Sequence, residues 1–89
     1  MEEFKSNAQK FQAQLIEPSK GRIIDIRITE KNDTAADLCM DLLELYAQSM
    51  EKFGASYKVG EREIRLIFED AWMAENIRAD WREKMRQVI

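Results

Sequence analysis

Hydrophobic and polar residues alternate most regularly in the segment from Arg22 to Glu30. Ile24, Ile26 and Ile28 occupy every second position there, and charged or polar residues stand between them. Because successive side chains of a β-strand point to opposite faces, this period of two predicts a strand over residues 22–30 with one buried face.

The N-terminal segment shows a helical period instead. Its apolar residues follow one another at spacings of four, three and four, and they are Phe4, Ala8, Phe11 and Leu15. This spacing places them on one face of a helix. We therefore expect a helix over residues 1–17, ended by Pro18, because the residue before a proline avoids helical backbone angles.

A second helix is predicted over residues 33–53. This stretch is rich in alanine, leucine and methionine and contains neither proline nor glycine, so residue propensity and pattern agree. Asn32 or Asp33 can cap its first turn, and Gly54 stands at its end, where glycine is common.

Residues 55–69 admit two interpretations. Alternating hydrophobic residues around Gly60 and Glu61 favour a hairpin, and they are Tyr57, Val59, Ile64, Leu66 and Phe68. The alternative is a mostly helical protein in which residues 61–88 form one long helix. We favour the hairpin, because the strand at residues 22–30 needs partners for its backbone groups.

Together these elements predict an α+β fold in a single small domain that spans residues 1–89. A last helix is expected over residues 70–89, so the order of elements is α-β-α-β-β-α. We expect a three-stranded antiparallel sheet packed by helices.

The predicted helix over residues 33–53 carries two apolar stripes, whereas a helix that covers a sheet in a monomer needs about one. One stripe contains Ala35, Leu38, Leu42, Leu45, Ser49 and Phe53. The other contains Ala36, Met40, Leu43, Ala47 and Met50. We interpret this second stripe as the self-association surface of a homodimer, because oligomerisation is a common remedy for a small core. The alternative is that the predicted N-terminal helix covers it.

The same helix carries an acidic face. At 100° per residue five carboxylates fall in one arc, and they are Asp33, Asp37, Asp41, Glu44 and Glu51. This face is either a solvated surface, or a partner for arginines of this chain or of a symmetry mate, or a site for a basic partner protein. In the last case Asp33, Asp37 and Asp41, which lie about 6 Å apart along the helix axis, imitate the phosphates of a nucleic acid.

An arginine row lies on the last predicted helix. Arg78, Arg82 and Arg86 recur every four residues, with Trp72 beside them. Arginine next to an exposed aromatic side chain favours binding to phosphates and bases, and equally to proteins. The plainer alternative is a solvated face neutralised by neighbouring carboxylates.

Composition narrows the chemistry that is available. The chain has 89 residues, no histidine and one cysteine, Cys39. This excludes Ser-His-Asp and Cys-His nucleophile pairs, histidine-based metal sites and structural zinc held by several cysteines. The turn from Ser19 to Arg22 lacks the spacing of a phosphate-binding loop. We therefore predict that the protein is not an enzyme and needs no cofactor.

The net charge argues against general nucleic-acid binding. The formal charge is -3, from 14 Lys+Arg and 17 Asp+Glu, whereas nucleic-acid-binding domains are usually basic. The sequence holds no apolar run long enough to span a bilayer, and its first residues lack the pattern of a signal peptide. We expect a cytoplasmic protein that does not engage a membrane, located in the host cytoplasm if it belongs to a mobile element.

Contact with another protein is the function that these features favour. We expect a non-enzymatic interaction module, such as an adaptor, an inhibitor or a small regulatory subunit, that also forms a homodimer. One alternative is a phage- or plasmid-type inhibitor of a nucleic-acid-processing enzyme, with the acidic face as phosphate mimic. The other is a nucleic-acid-binding regulator that uses the arginine row, and we do not favour nucleic acid as the partner.

Overall fold

The structure is a computed structural model that describes residues 12–88, with side chains described as far as residue 83. The elements in this range are β1 (Ala13–Leu15), β2 (Ile23–Ile28), α1 (Asp33–Ser49), a 3-10 helix (Met50–Phe53), β3 (Ala55–Gly60), β4 (Glu63–Phe68) and α2 (Ala71–Val88). The fold is α+β, as predicted, and its described order is β-β-α-β-β-α.

The four strands form one antiparallel sheet in the order β1-β2-β4-β3. The predicted strand is present as β2, and the predicted hairpin is present as β3 and β4. The alternative of one helix over residues 61–88 is wrong, because residues 63–68 form the strand that pairs with both β2 and β3. In the turn of the hairpin, Arg62 takes a left-handed conformation with φ of 60°.

Two predictions are wrong because of β1. Within the described residues the sheet has four strands and not three, and residues 13–15 are a strand and not part of a helix. Residues 13–15 pair antiparallel with β2, and the backbone N–H of Ile16 donates to the carbonyl of Asp25 at 2.9 Å. The physical reason is that β4 satisfies only one edge of β2, and the segment before Pro18 satisfies the other. Residues 1–11, with Phe4, Ala8 and Phe11, lie outside the described residues.

The core lies between one face of the sheet and the two helices. Alternate residues of β2 and β4 supply its floor, and Ala13 and Leu15 of β1 extend it. The helices α1 and α2 meet where the Trp81 ring contacts Tyr46 edge-on at 5.8 Å. On the opposite face of the sheet, cross-strand ion pairs join Asp25 to Arg65 and Arg27 to Glu63.

The ends of α1 follow the signals in the sequence. The Asn32 side chain accepts a hydrogen bond from the backbone N–H of Ala35 at 2.9 Å, which satisfies one of the unpaired donors of the first turn. The last predicted turn is a 3-10 helix, and the chain leaves it through Gly54 with φ of 85°, a conformation that glycine adopts without strain.

Candidate protein-binding surface

The stripe predicted for self-association is part of the core. Ala36, Leu43, Ala47 and Met50 are buried against the sheet, and Met40 packs partly buried beside them. These side chains are therefore not available to a second copy. The physical reason is that the small side chains of Ala36 and Ala47 allow α1 to approach the sheet closely, and these small residues are the sequence signal that marks the buried stripe.

The other apolar stripe of α1 faces solvent instead. The exposed fractions are 63% for Leu38, 44% for Leu42 and 60% for Leu45. We call these three residues the leucine ridge. Their spacings of four and three put them on one side of the helix over about 10 Å. Single exposed leucines are ordinary, but an aligned set on one helix is typical of an interaction surface.

The acidic face predicted from the sequence divides into separate parts. Asp33 pairs with Arg62 of the hairpin turn. Glu51 lies in the 3-10 helix, after the end of α1. The remaining three carboxylates, Asp37, Asp41 and Glu44, run along the flank of the leucine ridge, and we call them the acidic row.

The acidic row is not neutralised within the described part of the chain. None of the ion pairs found between described residues includes Asp37, Asp41 or Glu44. Glu44 accepts one hydrogen bond, from the hydroxyl of Tyr57 at 3.5 Å. A shallow depression lined by Asp41, Glu44, Leu45 and Gln48 joins the acidic row to the leucine ridge.

The first arginine of the predicted basic face is structural. The Arg78 side chain is 1% exposed. Its guanidinium donates to the Ser19 hydroxyl at 2.8 Å and to the carbonyls of Gly21 at 2.8 Å and Ile23 at 3.2 Å. It also pairs with Glu75 at 2.6 Å. Arg78 therefore holds the loop between β1 and β2 and is not available to a partner.

The second arginine is engaged with the same loop. Arg82 makes a two-pronged contact with the Glu17 carboxylate, at 2.7 and 3.1 Å, and donates to the carbonyl of Ser19 at 3.1 Å. This hydrogen bonding is the main reason that the pKa of Glu17 is lowered. Arg86 belongs to the part of α2 whose side chains are not described. Among the residues predicted for this face whose side chains are described, Trp72 is the most exposed, at 67%.

Among the described residues there is no group of three or more acidic, cysteine or histidine side chains that could hold a metal ion. Burial raises the pKa of the Cys39 thiol, and the nearby charge of Glu30 adds to this, so less of the reactive thiolate forms. Burial likewise raises the pKa of Tyr46 to about 12, although a hydrogen bond from Trp81 opposes the shift.

No family model, curated protein or solved structure matches the chain. Within residues 12–88, neither helix combines the length and the apolar character that a transmembrane segment requires.

Proposed function

We propose that this protein is a non-enzymatic interaction module that binds another protein through the leucine ridge and the acidic row. The observation that carries the proposal is the solvent exposure of Leu38, Leu42 and Leu45 on one side of α1. Burying leucine side chains stabilises a folded domain, and a small domain has few of them to bury. Three aligned leucines that stay exposed are therefore best explained by contact with a partner.

The size of the ridge indicates how much of the binding free energy it supplies. Burying a whole leucine side chain contributes about 1.5–3 kcal/mol, and roughly half of each ridge leucine is still exposed. The three leucines together therefore contribute about 2–5 kcal/mol, whereas micromolar affinity needs about 8 kcal/mol. The partner must gain the difference from groups around the ridge, and the acidic row is the nearest charged group.

The structure bears differently on each of the other functions that the sequence suggested. The nucleic-acid-binding alternative is weakened, because two of its three arginines, Arg78 and Arg82, contact the loop before β2. A phosphate mimic of five carboxylates loses Asp33 to Arg62. Self-association remains a hypothesis, but it cannot use the stripe that is buried against the sheet. A cytoplasmic location remains a prediction.

Site-specific photo-crosslinking in the native cells tests the proposal. A photoreactive amino acid at Leu42 should give an adduct with another protein, which mass spectrometry identifies. The matched control is Ile23, which has a similar exposed fraction of 41% but lies on the open face of the sheet. If Leu42 gives no adduct, or if Ile23 gives the same one, the leucine ridge is not the binding surface.

A further inference from the structure

We infer that the segment bound by this surface is a basic amphipathic helix, with apolar residues on one side and lysine or arginine along one edge of that side. The inference rests on the proposed function and specifies the chemistry of the partner. Three features carry it: the geometry of the leucine ridge, the charge of the acidic row and the character of the opposite flank.

The geometry of the ridge fits a helix better than a strand. Leu38, Leu42 and Leu45 follow the four-three spacing by which two helices interlock their side chains. An extended strand repeats on one face about every 7 Å, whereas the ridge residues lie about 6 and 4.5 Å apart along the axis. In addition, a bound strand needs backbone partners, and the backbone groups within α1 are already bonded to one another.

The acidic row determines the charge of the partner. Asp37, Asp41 and Glu44 border the ridge on one side, without an ion pair to any described residue. The depression between Leu45 and the row can take a long basic side chain, whose methylene stem lies on the leucine while its charge reaches the carboxylates. A helix with an acidic or uncharged edge leaves these three charges without a counter-charge.

The opposite flank of the ridge argues against a second copy of this chain as the occupant. Ala35, Cys39 and Tyr46 lie there, and all are uncharged near neutral pH. In an antiparallel pair about a two-fold axis the two acidic rows come to the same side and repel. In a parallel pair each row faces the uncharged flank of the other copy. Neither arrangement brings a cation to the middle of the row.

Designed peptides provide the test. The first probe is a helical peptide of about 18 residues with leucine along one face and lysine at its edges. The second has glutamate in place of every lysine. Fluorescence anisotropy measures the affinity of the full chain for each. We expect the lysine peptide to bind about tenfold more tightly at low salt, and the difference to shrink as salt screens the charges.

Variants of the protein separate the two components of the surface. The combined variant Asp37→Asn, Asp41→Asn and Glu44→Gln should lose the preference for the lysine peptide and keep weak binding of both. Leu42→Asp should lose the binding of both peptides. Ile23→Asp is the control for introducing a charge at an exposed apolar position, and it should leave both affinities unchanged.

The outcomes distinguish this inference from the proposed function. Equal affinity for the two peptides, or a preference that survives in the triple variant, overturns the basic-helix inference while a crosslink at Leu42 still supports a protein partner. A Leu42 adduct with the mass of two copies of this chain also overturns it, because the occupant is then a second copy. If neither peptide binds and Leu42 gives no adduct, both the inference and the proposed function are wrong.

Discussion

Replacing Arg78 with alanine should destabilise the domain far more than replacing Arg82. The two side chains lie one helical turn apart and contact the same loop, but the Arg78 side chain is 1% exposed and that of Arg82 is 40% exposed. The difference in burial, and not the number of ion pairs, therefore decides the size of the effect.

The magnitude follows from the contacts that each substitution removes. Arg78→Ala takes a buried donor away from the carbonyls of Gly21 and Ile23 and from the Ser19 hydroxyl. At about 1 kcal/mol for each net hydrogen bond, with some loss of methylene burial, the cost is about 3–4 kcal/mol. Arg82→Ala removes a solvent-screened pair with Glu17, so its cost should be only a small part of that of Arg78→Ala.

Urea denaturation followed by tryptophan fluorescence provides the measurement, since Trp81 is fully buried. For a domain of this size a loss of about 3 kcal/mol lowers the midpoint by roughly 2–3 M. Arg78→Lys keeps the charge but cannot reproduce the planar set of donors, so it should fall between wild type and Arg78→Ala. Equal losses for Arg78→Ala and Arg82→Ala, or a loss below about 1 kcal/mol for Arg78→Ala, would refute this reasoning.

Three further predictions concern neighbouring parts of the structure. Leu43→Ala should cost about 2–5 kcal/mol of unfolding free energy, whereas the adjacent Leu42→Ala, at a residue that is 44% exposed, should cost only about 1 kcal/mol; urea titration of both tests which stripe of α1 is buried. Tyr46→Phe removes the acceptor of the Trp81 indole N–H and should cost about 1 kcal/mol, which thermal unfolding measures against wild type. Because its arginine partner lowers the pKa of Glu17, the ionised carboxylate stabilises the folded state, and this contribution is lost as the pH falls through the lowered pKa. Urea midpoints of wild type and Glu17→Gln should therefore differ slightly at neutral pH and converge in acid, and a difference that persists in acid would contradict this assignment.

Local patterns predicted much of the secondary structure correctly. The alternation of Ile24, Ile26 and Ile28 gave β2, and the capping signal at Asn32 and the glycine at position 54 bracketed α1 and its 3-10 extension. These features depend on residues close together in the chain, where side-chain periodicity and backbone preference act directly. The first strand was mistaken for helix, because residues 13–15 are held by hydrogen bonds to β2 and not by local preference.

The candidate surface could not be predicted from residues that are close together in the chain. The sequence showed that the helix after β2 has two apolar stripes, but not which one the sheet covers. That choice depends on how α1 rotates over the sheet, where the small side chains of Ala36 and Ala47 permit close packing. The pattern alone therefore predicted self-association for the stripe that the sheet covers.

By itself the sequence determined the α+β class, the amphipathic elements and the chemistry that a chain without histidine and with one cysteine cannot perform. The tertiary structure decided which charges and apolar residues remain available. It places Arg78 within hydrogen-bonding distance of a loop more than fifty residues earlier in the chain, and it leaves the acidic row beside an exposed ridge. The physical reason is that the solvent exposure of a side chain depends on contacts between segments that are distant in the chain. A sequence pattern, in contrast, reports only the periodicity and backbone preference of neighbouring residues.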